Sequence, residues 1–132
     1  MLASCNNDPN KPDVSKIEVD IRLERFEQDF FNMDTNRIVA GLDMLYKKYP
    51  GFYPLFANDI LLLNEEHMIN QDGMVGLKPG GAEVIKTFIR WYRPVYDSLQ
   101  DTYKNMNWLK EDLEEAFQYV RYYYPSYPVP GI

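Results

Sequence analysis

Histidine and cysteine are almost absent from this sequence of 132 residues, which has one of each, His67 and Cys5. A single cysteine excludes an intrachain disulfide, and the two residues are too few for a zinc site built from cysteine and histidine. The metallopeptidase motif His-Glu-x-x-His needs two imidazoles on one helix, whereas here Glu65 and Glu66 precede a lone histidine. The sequence therefore predicts no catalytic residues, no metal and no cofactor, and a protein that is not an enzyme.

Positive charge and long apolar runs are also scarce. Lysine and arginine number 14 against 20 acidic residues, so the net charge is −6. Nucleic acid and anionic lipid both attract basic surfaces, so neither is a predicted partner. No apolar stretch is long enough to cross a bilayer. Aromatic residues are plentiful at 15%, with eleven tyrosines, which predicts either a tyrosine-rich core and rim or an aromatic surface for a protein partner.

Residues 1–15 are typical of a flexible tether, because they are polar, contain two prolines and show no apolar periodicity. At their head, Leu2-Ala3-Ser4-Cys5 has the pattern of a lipobox, in which small residues let a signal peptidase reach the backbone before a lipidated cysteine. We therefore predict Cys5 as a lipidation site, and a precursor that carries the signal peptide. The alternative is a stray cysteine in a ragged N-terminus. Residues 16–132 are predicted to form a helical domain.

The stretch from Ile17 to Leu23 alternates aliphatic and charged residues, which predicts a β-strand with one dry face and one charged face. The period then changes, and Phe26, Phe30 and Phe31 fall on one side of a short helix. A strand needs partners for its backbone groups, and the sequence offers no second strand of similar quality. We therefore expect a chain that is the N-terminal part of a longer protein, or a strand edge that a partner covers.

About five helices are predicted to follow, so the fold class is mainly α, or α+β with a minimal sheet if the 64–81 loop or the C-terminus supplies a second strand. Pro94 is expected to end one helix and begin the next. The predicted helical segments are 34–49, 52–63, 82–92, 95–105 and 108–124. The predicted core consists of Phe26, Phe30, Leu42, Leu45, Phe56, Ile60, Phe88, Ile89, Leu99, Leu113, Phe117 and Val120.

Three stretches together resemble a known family. They are Ile17–Phe31 with Arg25-Phe26-Glu27 at its centre, the segment Tyr49-Pro50-Gly51-Phe52-Tyr53, and Leu113–Pro125. In order and character they are similar to the N-terminal region of the gliding-motility lipoprotein GldB, and the lipobox at Cys5 fits the same family. The resemblance covers essentially the whole sequence.

The resemblance implies a lipoprotein of the cell envelope in Bacteroidetes, anchored to a membrane through its lipid only and facing the periplasm or the cell exterior. It implies a role in gliding motility or the associated protein secretion, with other envelope or secretion proteins as partners. Family members continue beyond the equivalent of the present sequence into a larger part that looks distantly like a metallopeptidase. No catalytic residue carries over, and only Cys5 does, as the lipidation site.

Two functional hypotheses follow, together with one structural alternative. The first is a non-catalytic interaction module held at the membrane by Cys5. The second is the N-terminal regulatory or substrate-binding part of a metallopeptidase-like protein whose site lies beyond this sequence. A small helical protein that dimerises through its strand edge is the structural alternative.

Overall fold

The computed structural model describes residues 11–63, 67–69 and 75–129. Residues 1–10 of the predicted tether, which include Cys5, and the loop acids Glu65, Glu66 and Asp72 lie outside that part of the chain. Within it the fold is mainly α, as predicted. The chain groups into two compact units, a central unit formed by Arg25–Tyr103 and a terminal unit formed by Met1–Glu24 with Lys104–Ile132. The prediction of one helical domain over 16–132 stays a prediction.

The central unit is built mainly from helices. The aromatic helix predicted after the alternating stretch is present as α1, and the periodic segment that follows it is α2. The elements, in order, are α1 (Phe26–Phe31), α2 (Ile38–Lys48), α3 (Tyr53–Leu55) continuing into a π-helical turn (Phe56–Ile60), β1 (His67–Ile69), β2 (Val75–Leu77) and α4 (Gly81–Gln100).

α2 places its apolar residues as the sequence predicts. Ile38, Leu42, Leu45 and Tyr49 follow the spacing of one helix face, and all four are buried. Gly41 lies against the chain that precedes this helix, since a Cβ on it would be 3.0 Å from Met33 Sδ and 3.2 Å from Met33 Cβ. Glycine therefore lets the helix approach closely here.

The core of the central unit is rich in aromatic rings. Phe30 is almost fully buried and its ring contacts those of Phe31, Phe56 and Phe88 at 5.4, 4.9 and 5.9 Å between centroids. Edge-to-face pairs of this kind stabilise a core beyond the area they bury. The buried members of the core are Phe30, Met33, Ile38, Leu42, Leu45, Tyr49, Tyr53, Ala57, Leu61, Leu63, Ile85 and Ile89.

The 64–81 loop supplies a small antiparallel sheet. β1 pairs with β2 in the register His67↔Leu77, Met68↔Gly76 and Ile69↔Val75. Both strands of the minimal sheet therefore come from the segment that the sequence assigns to a loop. Gly80 follows with φ at +101°, a left-handed value that glycine adopts without steric cost, and α4 begins at the next residue.

The prediction that Pro94 breaks the chain into two helices is wrong. α4 continues through it from Gly81 to Gln100. A proline inside a helix removes one N–H, which here would have bonded to the carbonyl of Arg90. Pro94 and Arg90 are both exposed. A water molecule can therefore donate a hydrogen bond to the Arg90 carbonyl in place of the missing N–H. The cost is therefore small enough for one continuous helix.

Two of the predicted core residues are exposed. Ile60 ends the π-helical turn, whose wider spacing moves it off the face that a 3.6-residue period predicts. Leu99 lies on a side of α4 that the described residues leave uncovered. Leu113, Phe117 and Val120 are half-buried rather than buried.

The terminal unit contains the remaining helix, α5 (Asn107–Tyr123), and the alternating stretch. Ile17–Leu23, the predicted strand, pairs with no other strand among the described residues. Its burial nevertheless alternates as predicted: Ile21 is 1% exposed, and the charged residues beside it are exposed. The stretch therefore has the one dry face and one wet face of an extended segment.

Side chains of α5 satisfy the backbone of that stretch in place of a second strand. Buried backbone N–H and C=O groups need hydrogen-bond partners, and side chains of α5 supply three of them. The segment and the helix run in opposite directions. The three bonds join the Ile21 N–H to Glu114 Oε1 (3.1 Å), Gln118 Nε2 to the Ile17 carbonyl (2.9 Å) and Arg121 Nη1 to the Glu18 carbonyl (2.9 Å).

Candidate interaction surface

The residues considered for chemistry in the sequence do not form a site in the described part of the chain. Cys5, the predicted lipidation site, lies outside it, and so do Glu65, Glu66 and Asp72 beside His67. In residues 11–63, 67–69 and 75–129, no three side chains of His, Cys, Asp or Glu are grouped as a metal site would require. In the same residues, no helix has the length and apolar character needed to span a bilayer.

An exposed apolar stripe runs along α4, and we call it the α4 surface. Its residues recur at the helical spacings i, i+7, i+8, i+11 and i+15, so they share one side of the helix. Each is between 38% and 70% exposed, with tryptophan the most exposed. The α4 surface consists of Val84, Trp91, Tyr92, Val95 and Leu99.

Ring contacts extend the α4 surface over the central unit. Tyr92 lies against Phe88 at 4.5 Å between ring centroids, and Phe88 contacts Phe56 at 6.1 Å. Phe56 in turn stacks on Phe52 at 6.2 Å, and the Phe52 side chain is again exposed. The exposed Tyr92 and Phe52 are therefore joined through the half-buried rings of Phe88 and Phe56. Exposed apolar areas are typical of binding sites when they are large and contiguous.

Polar contacts fix α4 against α1. Arg93 Nη1 donates to the carbonyl of Phe31 over 2.6 Å, which satisfies one of the open carbonyls at the end of α1. Arg93 Nε also pairs with Asp97 at 3.2 Å, one turn further along α4. Asn32 Nδ2 donates to the hydroxyl of Tyr96 over 3.3 Å. α4 is thus anchored through its polar and buried sides, while its apolar stripe is left free.

A charged groove lies beside α2, with a volume of about 930 Å³. At one end, Asp29 Oδ2 accepts hydrogen bonds from Lys48 Nζ at 2.6 Å and from the Tyr49 hydroxyl at 2.5 Å. The Lys48 bond, followed by the Tyr49 bond, lowers the pKa of Asp29. Burial, followed by the bond to Asp29, raises the pKa of Tyr49. These groups satisfy one another, which is typical of a structural ion pair.

In the terminal unit, Lys11 lies beside α5. Lys11 Nζ pairs with Glu115 at 3.2 Å and lies 4.9 Å from the centre of the Tyr119 ring. The bond to Tyr119, followed by that to Glu115, raises the pKa of Lys11. Lys11 is therefore held against the middle of α5.

The sequence did not predict the α4 surface: Val84, Tyr92 and Leu99 were expected on buried helix faces, and Trp91 and Val95 were assigned to no face. Their signal was present, since they continue the helical spacing of Val84 and Phe88. The expected break at Pro94 hid it, because it divided the stripe between two helices.

The comparisons with known proteins give one match. The family model described as gliding motility protein GldB matches residues 7–132. No curated protein and no solved structure matches the chain. The family match covers nearly the whole sequence and agrees with the resemblance found in its three stretches. The chain belongs to the family of gliding motility protein GldB.

Proposed function

We propose that this protein is a non-catalytic lipoprotein of the cell envelope that binds another envelope or secretion protein through the α4 surface. In this role it supports gliding motility or the associated secretion. A lipid on Cys5 holds it at a membrane, where it faces the periplasm or the cell exterior. The membership of the GldB family supports the coarse role, and the α4 surface is the single observation that carries the binding function.

The chemistry of the α4 surface favours a protein partner. Tryptophan and tyrosine supply large apolar area with few rotatable bonds, and they are enriched among the residues that dominate binding energy. Trp91 and Tyr92 occupy the middle of the stripe, where water is most fully excluded on binding. Truncating a central residue of this kind costs about 2 kcal/mol or more, or about thirty-fold in affinity. Trp91→Ala is therefore expected to weaken partner binding by at least that factor.

Site-specific photo-crosslinking in the native host tests this assignment. A photoreactive amino acid replaces Trp91 or Val95, and the control replaces Arg90, an exposed residue of the same helix outside the stripe. Adducts of one defined mass at the first two positions and none at the control would support the proposal. Adducts at none of the three positions, with gliding and secretion intact in a Trp91→Ala strain, would contradict it.

The lipid anchor has its own test, which does not depend on the partner. Cells fed a labelled fatty acid are expected to label the wild-type protein, and Cys5→Ala is expected to abolish the label. Unchanged labelling of the variant would contradict lipidation at Cys5. Hydrolytic activity of the purified protein that survives Trp91→Ala would favour the alternative, in which the chain is part of a metallopeptidase-like protein.

A further inference from the structure

The end of α5 and the residues after it differ in composition from the rest of the chain. From Ala116 to Val129 the only charged residue is Arg121, although 26% of the whole sequence is charged. The acids of α5 all lie earlier in the helix, at Glu111, Asp112, Glu114 and Glu115. The helix therefore has an acidic first half and a nearly uncharged second half.

Four tyrosines make this uncharged end an exposed aromatic surface, which we call the tyrosine surface. They are between 46% and 68% exposed. The first two contact each other edge to face at 5.0 Å between ring centroids. A turn joins the last two, with the backbone N–H of the fourth bonded to the carbonyl of the third over 2.9 Å. The tyrosine surface consists of Tyr122, Tyr123, Tyr124 and Tyr127.

The position of Cys5 in the sequence limits how far this surface can be from an anchoring membrane. Six residues lead from Cys5 to Lys11, and they span at most about 20 Å. Lys11 is bound to Glu115 and lies against the ring of Tyr119. Tyr122 and Tyr123 follow Tyr119 by about one helical turn, or about 5 Å along the axis. A lipid on Cys5 therefore confines the tyrosine surface to the neighbourhood of the bilayer.

We propose that the tyrosine surface rests in the headgroup region of the bilayer that carries the lipid on Cys5. Tyrosine is enriched at that depth because its ring is apolar while its hydroxyl remains hydrated. The absence of acids from the surface removes repulsion from lipid phosphate, and Arg121 adds one cation. The inference rests on the proposed lipidation of Cys5, and it assigns to α5 a contact that the tether alone does not provide.

Chemical anchoring makes the test independent of lipidation in the cell. Because Cys5 is the only cysteine, the full chain can be coupled to a maleimide lipid in phosphatidylcholine vesicles that contain brominated phosphatidylcholine. The probe carries Trp91→Phe, Trp108→Phe and Tyr123→Trp, so that its only tryptophan is in the tyrosine surface. The control carries Trp91→Phe alone and keeps Trp108, which is exposed at the other end of α5, about 22 Å away along the axis.

Bromine quenches only a tryptophan that enters the bilayer. We expect several-fold stronger quenching of the probe than of the control, and loss of that difference when Tyr122 and Tyr124 are also replaced by serine. A second probe with Tyr124→Trp guards against local misfolding at position 123, and circular dichroism checks all variants. Equal quenching of probe and control, or none in either probe, would overturn the proposal and leave the tyrosine surface to a protein partner. Failure of fatty-acid labelling in cells would instead count against the anchor alone.

Discussion

Glu114→Ala removes the acceptor that the buried backbone N–H of Ile21 uses. The N–H donates to Glu114 Oε1 over 3.1 Å, and Ile21 is 1% exposed, so water cannot easily replace the carboxylate. A hydrogen bond to a charged group contributes about 1.5–3 kcal/mol, and a buried donor without an acceptor costs about 1–3 kcal/mol. Because the Glu114 side chain is 25% exposed, we expect a loss of about 1–2 kcal/mol, or about 5- to 30-fold in the opening equilibrium of the terminal unit.

Hydrogen exchange at the Ile21 amide, followed by NMR, measures this opening directly. Glu114→Gln is the conservative variant, since its amide oxygen still accepts the bond while the charge and the ion pair with Lys110 are lost. Glu111→Ala is the matched control, because it removes an exposed acid from the preceding turn of α5. We expect the order alanine, then glutamine, then the control in loss of protection. Equal protection in Glu114→Ala and Glu111→Ala would refute the role assigned to the bond.

Two further predictions concern the central unit. Gly41→Ala is expected to destabilise the central unit by about 1 kcal/mol in urea denaturation. The new Cβ would lie 3.0 Å from Met33 Sδ, and overpacking of this kind costs about 1–3 kcal/mol. The gain in helix propensity from glycine to alanine is smaller, at about 1 kcal/mol. Gly51→Ala, whose Cβ meets nothing within 4 Å, is expected to be neutral or stabilising, so equal effects would contradict this packing. Asp29→Asn is expected to cost about 0.5–1 kcal/mol at neutral pH, since the carboxylate is 41% exposed. Hydrogen bonds from Lys48 and Tyr49 lower the pKa of Asp29 below its usual value of 3.8. The stability that the ionised carboxylate contributes is therefore fully present above pH 3.8, and it is lost as the pH falls below that value and Asp29 is protonated in the folded state. Wild type and variant with the same pH dependence of unfolding would disprove it.

The sequence predicted well those elements whose burial follows a regular period. α2 was predicted because Ile38, Leu42 and Leu45 repeat at helical spacing over a single covered face. The alternation in Ile17–Leu23 likewise predicted which of its residues are the less exposed. The hydrogen-bond partners of this stretch could not be predicted. They are side chains of α5 about a hundred positions away, and bonds from side chains to a distant backbone leave no periodic pattern in the sequence.

The α4 surface was not predicted because proline usually breaks a helix, whereas α4 continues through Pro94. Proline disfavours a helix interior, but the carbonyl freed by Pro94 belongs to Arg90, which is an exposed residue, and the helix is fixed on both sides of Pro94. Arg93 bonds to the end of α1, and Tyr96 is buried in the next turn. Tertiary contacts thus decide whether a helix passes through a proline, and only the uninterrupted helix aligns Trp91 with Val95.

Different side chains of α5 serve folding and docking in the terminal unit. Glu114 and Gln118 hold the backbone of the Ile17–Leu23 stretch, so their replacement is expected to loosen the unit. Tyr123 and Tyr124 are exposed, and replacement of exposed side chains usually changes stability by no more than about 0.5 kcal/mol. A serine variant at these tyrosines is therefore expected to keep the protection of the Ile21 amide while it loses contact with the bilayer. That combination would show that these tyrosines serve a surface contact, because the fold does not need them.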